Sequence, residues 1–99
     1  MDLKELTTAM HTFVRSKGWY EQDSVRPQTP RNIATSLAIE TAEVLEHFQW
    51  SNEEPDSEAL AGELADVALY LLQLAGLCDI DLERAIQDKL STNYERNWD

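Results

Sequence analysis

Residues Ala59 to Cys78 read ALAGELADVALYLLQLAGLC. Leu60, Leu64, Val67, Leu71 and Leu74 recur at helical spacing and make one apolar face. Leu69 and Leu72 carry that face round the back. A helix apolar on more than one face is buried on more than one face. In a chain of 99 residues this implies a homo-oligomer as well as an internal core. Gly62, Glu63, Asp66 and Gln73 break the run, which excludes a membrane span on this reading.

This helix spans Asp56 to Cys78 after a Pro55-Asp56 start signal. A polar, acidic loop from Gln49 to Pro55 precedes it. Before that loop, Pro30 or Arg31 to Phe48 forms another helix. The first helix runs from Asp2 to Lys17, with Leu3, Leu6, Met10, Phe13 and Val14 on one face, and Gly18 stops it. Gly18 to Pro30 is a loop carrying Trp19, Tyr20 and Arg26. The last helix starts near Asp81, a good N-cap, and residues 93–99 are expected to fray or to pack on a partner. Four helices with short links indicate an all-α four-helix bundle, one domain over 1–99.

With 19 acidic against 8 basic residues the net charge is −11, which repels nucleic-acid polymers and anionic membranes. A phosphate-bearing ligand must therefore be admitted locally, by a cation or a few placed Lys and Arg. Met1 leads directly into the charged DLKEL, so no signal peptide is expected, and the single Cys78 reads as a reduced core residue. A cytoplasmic location is the expectation.

Two carboxylate pairs carry the chemistry. Glu40 and Glu43 are three apart on the second helix, and Glu63 and Asp66 three apart on the third. Spacing alone is weak, since Asp2/Glu5, Glu43/Glu46 and Glu53/Asp56 share it. Position on the helix separates them. Glu40 lies at the edge of an arc made by Ile33, Leu37, Val44, Leu45 and Phe48, with Glu43 beyond and His47 between. Glu63 and Asp66 repeat the arrangement, with Tyr70 between. Packed side by side, the helices would gather four carboxylates. A cation removes their repulsion, and hard oxygen donors favour Mg²⁺, with Mn²⁺ able to substitute. The competing reading is two solvated acidic faces. On the last helix, Lys89 and Asn93 fall within the stripe of Leu82, Ala85, Ile86 and Leu90. There they would meet an anion and a phosphate or sugar oxygen, unless Lys89 merely snorkels and Asn93 ends the helix.

The segments LAIETAEVLEHFQW (37–50) and ELADVALYLLQLAGLCDIDLERAIQDKLSTNYERN (63–97) resemble the MazG-like nucleotide pyrophosphohydrolases, particularly the dCTP-pyrophosphatase-like branch. The shared elements are Glu40-x-x-Glu43, Phe48-Gln49-Trp50, Glu63-x-x-Asp66-Val67, Tyr70, Asp81-Leu82 and Lys89-x-x-x-Asn93. The resemblance implies a single MazG-like domain over 1–99, assembled as a homodimer or homotetramer. It implies Mg²⁺-dependent hydrolysis of a (deoxy)nucleoside triphosphate to the monophosphate and pyrophosphate, a nucleotide-pool house-cleaning reaction. Glu40, Glu43, Glu63 and Asp66 would hold the metal, and Lys89 and Asn93 would contact phosphates or sugar. Tyr70 would position the nucleotide, while Trp50 and Trp19 would pack on the base. The sequence departs from the wider family where Ile39-Glu40 replaces two adjacent glutamates, leaving the general base open between Glu43 and Glu46. It departs from the branch where Met10 replaces a histidine and where the loop from Trp19 to Pro30 is longer. Alternatives are a phosphoribosyl-ATP pyrophosphohydrolase and a non-catalytic helical module. A di-iron bundle is disfavoured because Glu-x-x-His pairs are missing.

Overall fold

A computed structural model describes residues 1–98. Four helices appear in it, and no strand among the described residues: α1 (Leu3–Ser16), α2 (Pro30–Glu46), α3 (Ser57–Leu77) and α4 (Leu82–Glu95). Each begins at a side chain that satisfies an otherwise unpaired backbone N–H. Asp2 Oδ1 accepts from Glu5 N–H at 2.8 Å, Thr29 Oγ1 from Asn32 at 3.1 Å, Asp56 Oδ1 from Glu58 at 3.0 Å and Asp81 Oδ1 from Arg84 at 3.1 Å. Pro30 sits in the first turn of α2, where its missing N–H costs nothing.

Two helices finish on a left-handed residue. Gly18 has φ of 73°, which lets Trp19 N–H reach back to the Val14 carbonyl at 3.3 Å. Asp79 has φ of 55°, and Ile80 N–H closes on the Ala75 carbonyl at 2.8 Å.

The core is small. Met10 and Val14 of α1 pack on Leu72 of α3, with Leu3, Trp19, Tyr20 and Leu82 against them. The main contact is between α2 and α3, with α1 laid on α3. The latter two meet closely where Gly76 faces the His11 ring: a Cβ on Gly76 would lie 2.6 Å from His11 Nε2.

Four expectations are corrected. Phe48 lies beyond α2 in a turn, because the helix ends at Glu46 and the chain tightens through His47 and Phe48. Asn93 to Glu95 are still helical, so the regular part of α4 extends past the expected boundary until Arg96 turns extended, while Asp99 lies outside the described residues. Cys78 is exposed within the chain, since it caps α3 where the backbone leaves the core. Finally, α3 is long and apolar enough to cross a membrane by length and composition, so its interruptions do not themselves exclude a span. Its role here is that of the central helix, packed on α1 and α2.

Candidate active site

The two stripes that line the site come from facing helices. Asn32, Ser36 and Glu40 recur at four-residue steps along α2, and Asp66, Tyr70 and Gln73 at four and three along α3. All six border one open cavity of about 810 Å³. The helices run antiparallel: Glu40 and Glu43 meet Glu63, while Gln28, just before α2, meets Gln73 late in α3.

At the acidic end, Glu40, Glu43 and Glu63 each present a carboxylate oxygen within 4.8 Å of the others. All three are half-buried. Glu40 Oε2 is buried and bonds to nothing. Burial pushes the Glu40 carboxyl up to about 7, and neighbouring Glu43, then Asp66 and Glu63, add to the rise. Asp66 is more exposed and lines the same cavity. A buried acceptor with no donor, among oxygens that repel one another, fits a hard divalent cation.

At the other end, Met10, Phe13, Val14 and Trp19 supply an apolar wall. Trp19 meets Phe13 edge-to-face at 5.8 Å. The loop between α1 and α2 closes this end with Val25, Arg26, Pro27 and Gln28. Gln73, 3% exposed, is the one buried polar side chain among the described residues. Its Nε2 donates to Gln28 Oε1 at 2.8 Å and to Tyr20 Oη at 3.3 Å. Tyr20 Oη also lies 2.6 Å from His11 Nδ1. Burial, then the Arg15 charge, lowers the His11 pKa, which favours the neutral ring.

The predicted site residues divide accordingly. Glu40, Glu43, Glu63 and Asp66 come together, and Trp19 and Tyr70 line the adjoining cavity. Trp50 is 88% exposed in the α2–α3 loop and does not line it. Neither do Lys89 and Asn93 of α4; Lys89 is exposed, and Asn93 Oδ1 is buried without a partner. Glu46, at the last turn of α2, is exposed and outside the cluster. The structure adds Met10, Arg26, Gln28, Asn32 and Gln73. Gln73 carried a signal: an amide seven residues after Asp66, on the same side of an otherwise apolar helix.

The MazG-like family model matches residues 35–98. A dCTP pyrophosphatase 1 of Rattus norvegicus is 40% identical over 85 residues, covering 77% of this chain and 50% of that protein. The Homo sapiens dCTP pyrophosphatase 1 is 36% identical over the same shares. The chain thus spans about half the length of these curated relatives. A crystal structure of a pyrophosphatase from Archaeoglobus fulgidus DSM 4304 superposes with a TM-score of 0.75 at 31% identity, covering 97% of this chain and 92% of that one.

Proposed function

The chain belongs to the MazG-like family, and from that premise we propose that it hydrolyses a (deoxy)nucleoside triphosphate to the monophosphate and pyrophosphate with Mg²⁺. We read residues 1–99 as one such domain. The observation that carries the reading is the carboxylate cluster, with its partnerless Glu40 Oε2, opening into a cavity with an aromatic far wall. The names of the relatives support a nucleotide as substrate.

Glu40, Glu43 and Glu63 would hold the cation, with Asp66 beside them. When bound, Mg²⁺ supplies charge neutralisation at phosphate oxygens and activation of water. The chain's own residues do the rest. Trp19 and the apolar wall take the base, and Tyr70 borders the path between base and phosphates. A carboxylate of the cluster not committed to the cation accepts the proton of the attacking water.

We further propose that the working form is a homo-oligomer. The accessible surface is 7970 Å², about 2,200 Å² more than a folded monomer of 11.3 kDa exposes. The radius of gyration is 16.1 Å, against about 13 Å for a compact domain of this length. Leu45, Leu64, Leu90 and Tyr94 stand 66%, 51%, 54% and 89% exposed. A partner copy would cover these surfaces and bring Lys89 and Asn93 of α4 towards a bound triphosphate.

The test is incubation with canonical and modified dNTPs and NTPs, with Mg²⁺ or EDTA, quantifying monophosphate and pyrophosphate. Release of both in Mg²⁺ alone, abolished in Glu40→Ala and Asp66→Ala with helicity retained, is the expected result. No release from any nucleotide sinks the reading, and full activity in either variant sinks the site.

A further inference from the structure

The loop between α1 and α2 is wired to the interior of the protein in an unusual way. Gln73 is buried to 3% exposure late in a largely apolar helix, a placement that costs free energy unless its polar atoms are bonded. Its Nε2 donates to Gln28 Oε1 at 2.8 Å, which anchors the loop to α3. Gln28 Nε2 in turn donates to the Arg26 carbonyl at 2.7 Å. On the other side, Arg26 N–H donates to Ser24 Oγ at 3.0 Å. Both backbone polar groups of one exposed arginine are therefore fixed, and the anchor for one of them is the only buried polar side chain among the described residues.

The arginine so held lies over the Trp19 ring, its guanidinium 5.8 Å from the ring centroid, and both border the cavity. It forms no ion pair among the described residues, although the chain is rich in acids. Its fork of donors is thus available to a ligand. Glu40 lies ten residues into α2 from Pro30, about 15 Å along the helix axis. A nucleotide whose phosphates lie at the carboxylates would put its base, not its phosphates, beside Arg26.

We propose that Arg26 is a specificity-determining residue, reading the edge of the base seated against Trp19, and that the Gln73–Gln28 hydrogen bond is what places it. This rests on the pyrophosphohydrolase reading above. A guanidinium is all donor, so it favours a base with two adjacent acceptors on one edge. Guanine offers N7 and O6, and cytosine offers N3 and O2. Adenine sets an N6 amino donor beside N7, and thymine an N3–H donor beside each carbonyl, so both present a donor to a donor. The substrate class is therefore a guanine or cytosine nucleoside triphosphate. Arg26 reads the substrate; Gln28 and Gln73 are positioning residues acting through it.

The experiment measures kcat and KM for dGTP, dCTP, dATP and dTTP with the wild type, Arg26→Ala, Gln28→Ala and the double variant. Arg26 is exposed, so its truncation leaves the fold in place. The wild type is expected to prefer dGTP or dCTP. Arg26→Ala is expected to lower kcat/KM for the preferred nucleotide by roughly tenfold, the scale of a lost bidentate base contact, mainly through KM. The dATP and dTTP values do not fall, since removing the guanidinium also removes the donor set against their own donors. Gln28→Ala shifts the same nucleotides in the same direction, and the double variant is no worse than Arg26→Ala, because both act through one contact. Equal losses for all four nucleotides would place Arg26 on the phosphates and overturn the proposal alone, as would no loss, an additive double variant, or a wild type preferring dATP or dTTP. No pyrophosphate from any nucleotide overturns the parent reading and this one together.

Discussion

Glu40 concentrates the site's chemistry in one side chain. Its carboxyl is held up to about 7 by burial first and then by Glu43, Asp66 and Glu63. The folded chain thus binds this proton more tightly than the unfolded chain does. The stabilisation is complete below the ordinary glutamate range and is lost as pH rises through about 7. Metal-free wild-type protein is therefore expected to lose Tm relative to Glu40→Gln as pH rises over that interval, since glutamine keeps the shape without the charge. If the cluster binds Mg²⁺ as proposed, the ion takes the ionised form, so its stabilising effect should grow over the same interval, with proton release. Glu40→Gln should show little Mg²⁺ effect. Thermal melts of both proteins across that range, with Mg²⁺ and with EDTA, check this; parallel curves in EDTA would contradict it.

At the scale of elements, close approach and helix termination carry the argument. A Cβ at Gly76 would meet the His11 imidazole at 2.6 Å, and that ring is also held by Tyr20. Gly76→Ala is expected to push α1 from α3 and cost about 1–3 kcal/mol. Adding His11→Ala should recover part of that loss, which denaturant melts of the single and double variants would reveal. Gly18 ends α1 at φ 73° with open space around its Cα, so Gly18→Ala costs only the backbone preference, about 1 kcal/mol. A loss of several kcal/mol there would mean that the Trp19 loop depends on more than the turn.

The whole molecule is too extended for its length, and its apolar surface is left open. α4 contains no buried residue; only Leu82, at its start, packs on the core. If copies of the chain complete one another, Tm should rise with protein concentration, because assembly stabilises the folded form by mass action. Sedimentation should give a multiple of 11.3 kDa. A concentration-independent Tm with a monomer mass would contradict the assembled form.

Sequence alone determined the four helices, their starts near Asp2, Pro30 or Arg31, Asp56 and Asp81, and the carboxylate pairs on the second and third. These are local properties: an N-cap acts over three residues, and helical periodicity puts Glu40 with Glu43, and Glu63 with Asp66, on one side. Much of the resemblance is legible for the same reason, since Glu40-x-x-Glu43, Glu63-x-x-Asp66 and Lys89-x-x-x-Asn93 each lie at fixed spacing within one helix. Tertiary structure decided what periodicity cannot carry. It chose Glu40, Glu43 and Glu63 as the tight cluster and left Asp66 beside it, because antiparallel packing of α2 on α3 sets their relative height. It put Cys78 and Trp50 outside the core, since both sit where the chain leaves a helix. And it tied Gln73 to Gln28 across 45 residues, a pairing that no local pattern announces because it exists only once α3 packs beneath the loop.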